Sequence, residues 1–130
     1  LHVVKAFDES IGVIKSHVWS GGGLQVPIML HRYSGNEQQA KPWIEMGAML
    51  SFTEAFIDPE RGKKSRRTLL ETPVEQILLE TDGPDLPFAD LPRIYAEAAR
   101  VKGMELKAFQ AQIVSNIERF YRVDTRAKNG

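Results

Sequence analysis

Short apolar runs alternate along this chain with stretches whose apolar positions recur at helical spacing. Val4, Phe7, Ile11, Ile14 and Val18 fall three or four positions apart, which predicts a helix over about 3–18. Gly21-Gly22-Gly23 interrupts the pattern as a loop. "LQVPIMLH" (24–31) is then a continuous apolar run closing on a polar residue, read as a buried strand. Asn36, with Gln39 three positions on, predicts a capped helix reaching about Met46, and Pro42 inside it predicts a kink or a late start. Gly47 ends that helix, and "AMLSF" (48–52) is a second apolar run. Pro59 and Glu60 open a basic helix, "ERGKKSRRTLLE", which Thr72-Pro73 terminates. "QILLETD" (76–82) is the third run. Beyond a Pro-rich stretch at 84–92, helices are predicted near 92–102, 105–112 and 114–121, and the polar tail 124–130 is expected to fray.

Strand, helix, strand, helix, strand, helix is the order of a parallel sheet with crossover helices, so the expected class is α/β. The runs are continuous rather than alternating, as expected of strands covered on both faces. In such folds, whether open sheets or (β/α)8 barrels, ligand sites form at the C-terminal ends of the strands. His31 and Asp82 end the first and third full strands, and His2 reads as the end of a strand whose body lies upstream. Their spacing corresponds to one and then two strand-plus-helix units. A closed barrel brings such strands together across its mouth, whereas an open sheet keeps them apart. Two imidazoles and a carboxylate are the donors that borderline divalent metals favour. Each residue also has a plainer reading. A strand-end histidine is more often simply solvent-facing, and Asp82 can equally cap the Gly83-Pro84 turn.

Charge narrows the field of partners. Basic and acidic residues balance at 17 each, so no overall field draws the chain to nucleic acid or an anionic membrane, although a local basic groove is not excluded. Lys63, Lys64, Arg66 and Arg67 form the one dense basic cluster, with a solvated helix face as its default reading and phosphate binding as the alternative. Cysteine is absent, which excludes disulfides and thiolate metal sites. No apolar run approaches the roughly 18 residues of a membrane span, and no signal-type segment opens the chain, so the expected location is cytoplasmic. The chain begins on Leu1-His2-Val3-Val4 without methionine, from which we expect residues upstream.

Several segments together carry a family resemblance. "ILLETDGP" (77–84) resembles the LLxETDxP segment of the TatD family of metal-dependent deoxyribonucleases, "LHRYSG" (30–35) its HCFSG segment and "GAMLSF" (47–52) the strand that follows. "LHVVKAF" (1–7) is similar to the segment around an earlier ligand histidine, and "NIERF" (116–120) to the C-terminal NxxRLF motif. The resemblance implies a (β/α)8 TIM barrel, of which residues 1–130 supply the C-terminal half as one partial domain: the end of strand five, strands six to eight and the C-terminal helices. A whole barrel takes about 250 residues, and an isolated half is expected to self-associate through its open edges. The resemblance further implies two divalent metal ions (Mg, Mn or Zn), with His2 and His31 on one. Asp82 would bind the other and, as the catalytic residue, position or deprotonate the attacking water. The family's N-terminal HxH pair and bridging glutamate are absent from this chain. Arg32-Tyr33 stands where the family often has Cys-Phe, and only Asp90-Leu91-Pro92 remains where it usually carries Asn-Glu-Pro.

The implied function is a metal-dependent hydrolase that cleaves the phosphodiester bonds of DNA. Alternatives are another amidohydrolase-like enzyme on the same barrel acting on C–N bonds, or a catalytically inactive half-barrel serving as a binding module. Side chains alternate along a strand, so Glu80 shares the face of Asp82 and is expected one layer deeper, orienting a ligand or pairing with a basic group. Ser34 and Gly35 are candidate phosphate contacts, with an ordinary turn the competing reading. Asn116 is read as a cap of the last helix and His17 as a partner of a helix dipole. Trp19, Trp43, Phe109 and Phe120 are read as packing residues.

Overall fold

The computed structural model describes residues 27–81 and 91–121, together with Gly12 and the short strands β1 (Trp19–Ser20) and β2 (Gly23–Leu24). The expected first helix, His2, His17, Asp82 and the tail from 124 lie outside the described residues, Gly12 excepted.

Three parallel strands form the centre. β3 (Met29–Leu30), β4 (Met49–Phe52) and β5 (Ile77–Leu79) lie side by side in that order. Between β3 and β4 the chain crosses over through α1 (Glu37–Glu45). Between β4 and β5 it passes a 3-10 turn at Glu54–Ile57, α2 (Lys63–Glu71) and a second 3-10 turn at Val74–Gln76. α3 (Leu91–Lys102) and α4 (Leu106–Tyr121) complete the layer. This is the α/β order expected from the apolar runs. The edges differ. The first run pairs over Met29–Leu30 only, and upstream of it Trp19–Ser20 pairs with Gly23–Leu24 as an antiparallel hairpin that periodicity did not foresee. The two helices predicted near 105–112 and 114–121 are one, because Ile113 at the expected break is buried on the same face as Phe109.

The core lies between the sheet and the helices. Leu30, Leu50, Phe52 and Ile77 point from the strands into a layer with Trp43 of α1, Leu69 of α2, Ile94 of α3 and Phe109 and Ile113 of α4, all virtually inaccessible. A fully buried apolar side chain of this size contributes about 1.5–3 kcal/mol relative to exposure. α1 starts as its cap signature predicts: the Asn36 side chain accepts from Gln39 N–H at 2.8 Å, and the Gln39 side chain accepts from Asn36 N–H at 3.1 Å. Pro42 sits inside this helix without ending it.

Two basic side chains act as clasps on backbone carbonyls. Arg66 donates to the carbonyls of Phe56 (2.9 Å), Asp58 (2.8 Å) and Pro59 (3.3 Å), fastening the loop that enters α2. Lys102 donates to Leu70 and Thr72, both at 2.7 Å, and satisfies the C-terminal carbonyls of α2 from the end of α3. Burial pulls its ammonium below the ordinary lysine range, partly offset by Glu71 and Glu75.

Gly62, just before α2, is required for space. A Cβ there would run into the backbone oxygens of Asp58, Ala55 and Phe56, none of which has a flexible end that can swing away. Gly62→Ala is therefore expected to destabilise the fold by about 2 kcal/mol. Urea unfolding measures this, and a change below about 0.5 kcal/mol would show that the loop yields.

Asn116 does not cap a helix. It sits inside α4, fully buried, and its amide donates to the carbonyls of Val74 and Ile77, both at 2.8 Å, while its oxygen accepts from Gln112 at 2.9 Å. The "NIERF" segment thus ties the last helix to the entry of β5. Arg119 adds a bond to the Glu75 carbonyl on the same turn.

Candidate metal centre

β3 ends at Leu30 and delivers His31; β5 ends at Leu79 and delivers Glu80; β4 lies between them and carries Ser51. Ladder bonds continue past the formal strand ends, from Tyr33 N–H to Ser51 O (2.8 Å) and from Glu80 N–H to Phe52 O (3.0 Å). Leu30 is level with Leu50 and Ser51 with Leu78, so alternation puts His31, Ser51 and Glu80 on the sheet face opposite the helix-packed core. Met49 and Leu78 line the same face deeper in, both buried.

These three side chains touch. His31 Nδ1 lies 2.9 Å from each oxygen of the Glu80 carboxylate and has hydrogen-bond geometry toward Oε2. The Ser51 hydroxyl donates to the same Oε2 at 2.5 Å. Glu80 Oε1 is shut off from solvent with no hydrogen bond, despite its closeness to the imidazole. The imidazole itself is the accessible end of the chain, 42% exposed against 16% for the Glu80 side chain. A carboxylate on Nδ1 fixes the tautomer and ring orientation of a histidine, so that coordination falls to Nε2.

The loop after His31 is anchored on both sides. Arg32 adopts a left-handed backbone, φ 51°, which costs of order 1 kcal/mol for a residue with a side chain and turns the chain sharply after the imidazole. The buried Tyr33 hydroxyl donates to Asn36 O at 3.1 Å, and the buried Thr68 hydroxyl reaches Gly35 O at 3.3 Å. Burial, then the charge of Glu37, raises the Tyr33 phenol above its ordinary range.

Of the residues singled out from sequence, His31 and Glu80 are brought together. Ser34 is exposed three positions after His31, Gly35 is buried with its carbonyl turned to Thr68, and His2 and Asp82 lie outside the described residues. Ser51 was not foreseen. The available signal was its parity: it is the polar residue in "AMLSF", on the face that His31 and Glu80 share. The basic cluster is divided, since Arg66 is spent on backbone carbonyls and Arg67 pairs with Glu37 at 3.0 Å, while Lys63 and Lys64 remain exposed. Among the described residues no group of three or more His, Cys, Asp and Glu is arranged to hold a metal. The pair that is present nonetheless fits a divalent cation: an accessible imidazole braced from behind by a carboxylate, one of whose oxygens is buried without a hydrogen bond.

A parallel sheet under helices, with an imidazole–carboxylate pair just past its C-terminal strand ends, defines an α/β protein, a class whose ligand sites form at those ends. Solved structures share this fold. YjjV, a TatD homologue of Escherichia coli K12, superposes with a TM-score of 0.79 at 22% identity, over 95% of this chain and 49% of that one. A TatD-family hydrolase of Entamoeba histolytica does so with a TM-score of 0.75 at 14% identity, over 95% and 50%. Both belong to the TIM-barrel class. The chain belongs to the TatD related DNase family, whose sequence model matches residues 1–122. Among curated relatives, the 3'-5' ssDNA/RNA exonuclease TatD of Klebsiella pneumoniae (strain 342) is 27% identical over 95% of this chain and 51% of its own length. The metal-dependent hydrolase YjjV of Escherichia coli (strain K12) is 31% identical over 78% of this chain and 38% of its own. The chain thus spans about half the length of these relatives or less. Among the described residues no helix is long and apolar enough to cross a membrane.

Proposed function

We propose that the protein carrying this chain is a metal-dependent nuclease that hydrolyses phosphodiester bonds of DNA through an activated water. The observation that carries this reading is the His31–Glu80 pair at adjoining strand mouths, an imidazole braced as metal ligands are braced. Family membership and the exonuclease name of the Klebsiella relative support nucleic acid as the substrate. In this proposal His2 and His31 hold one divalent cation and Asp82 the other, the ions being Mg, Mn or Zn. Such ions, when bound, lower the pKa of water and neutralise charge on phosphate oxygens. Glu80 keeps the His31 ring from rotating. Asp82 aligns the attacking water and accepts its proton. Ser34, exposed in the loop that follows His31, and Gly35 are the phosphate contacts of this reading. A cytoplasmic location belongs to the same reading.

The test is hydrolysis of single-stranded DNA and RNA by the full-length protein with Mg²⁺ or Mn²⁺, and again after chelation by EDTA. We expect cation-dependent cleavage that falls to background in EDTA and returns with added cation. Cleavage undiminished by EDTA would overturn the metal mechanism. Inertness toward nucleic acid, alongside cation-dependent opening of a cyclic amide, would move the protein to the C–N-cleaving alternative.

A further inference from the structure

We infer that Ser51 is a positioning residue that sets the cation affinity of the site through Glu80. The inference rests on the metal-site reading above and extends it to a residue on the middle strand. Three observations converge. Ser51 is buried, 1% exposed, in a strand whose other residues are apolar, so its hydroxyl has to find its partner inside the protein. That partner is Glu80 Oε2, at 2.5 Å. The same oxygen receives His31 Nδ1 at 2.9 Å, so one acceptor joins the middle strand to the ligand on its neighbour.

A glutamate on its own has rotatable torsions and two equivalent oxygens, and would hold an imidazole in several orientations. The Ser51 hydroxyl removes that freedom. It anchors Oε2 from the β4 side and leaves the carboxylate plane one orientation in which Oε2 meets Nδ1. The register makes this possible, since β4 lies between β3 and β5 and presents Ser51 on the face used by both flanking strands. The hydroxyl thereby acts on the imidazole without touching it. Removing such an outer partner typically weakens metal binding 10- to 100-fold.

The experiment measures Mn²⁺ affinity by titration calorimetry for the wild type, Ser51→Ala, Glu80→Gln and the double variant of the full-length protein, with thermal unfolding in EDTA as the control for folding. Ser51→Ala is expected to weaken Mn²⁺ binding about tenfold. The double variant is expected to bind no more weakly than Glu80→Gln alone, because Ser51 acts only through that carboxylate. Ser51→Ala with wild-type affinity, or losses that add in the double variant, would overturn the inference while leaving the metal site standing. A wild type that binds no Mn²⁺ would overturn the site and the inference together. If Ser51→Ala does not fold, Ser51→Cys, similar in size with a weak donor, replaces it under the same criteria.

Discussion

Asp82→Asn is expected to lower the rate of DNA cleavage by roughly 10²–10⁴-fold, the usual contribution of a positioned proton acceptor. The neighbouring carboxylate is already committed. Glu80 takes both the Ser51 hydroxyl and His31 Nδ1 on one oxygen, an arrangement suited to holding an imidazole. Asp82, two positions on and outside the described residues, is expected from sequence alternation to share that face. An asparagine keeps the size of that side chain, but it neither carries the charge that would bind a cation nor accepts a proton. Steady-state cleavage of single-stranded DNA at saturating Mn²⁺, with unfolding in EDTA as control, measures the effect. A rate within threefold of wild type would remove Asp82 from both roles.

Asn116→Ala is expected to destabilise the protein by about 3 kcal/mol, well above the usual effect of a surface substitution. The side chain is fully buried, so its removal opens a cavity. It also takes away two hydrogen bonds to the carbonyls of Val74 and Ile77, the residues through which the chain enters β5. β5 is the strand that delivers Glu80. The same variant should therefore loosen the metal site at a distance, and its Mn²⁺ affinity should fall with its stability. Urea unfolding at constant m-value reads the first effect. A loss below 1 kcal/mol would mean that α4 and the β5 entry hold together without this amide.

Those two residues mark what was legible in the sequence and what was not. His31 could be placed at a strand end because an apolar run closes on it, and alternation put Glu80 on the mouth-facing side. The third run reads as reaching Asp82, whereas β5 ends at Leu79 and Glu80 is the first residue past it. The cap of α1 was written locally, in Asn36 and Gln39, and local signals survive folding. Asn116 was misread as a cap because its true partners lie about forty positions earlier, and nothing in a single sequence connects them. Ser51 was hidden for a related reason. Inside an apolar run it looks like filler, and only the register of three strands shows that it meets Glu80. The basic cluster attracted attention by density, yet density does not record that Arg66 and Arg67 are already engaged.

Lys102 ties together elements far apart in the chain. The closing carbonyls of α2, at Leu70 and Thr72, find their ammonium thirty or so residues later, across the whole of β5 and most of α3. Without α3 those closing carbonyls would have only water to bond to. In the native fold one ammonium thus joins the end of α2 to the end of α3, and β5, which leads into Glu80, lies on the chain between the two helices it ties.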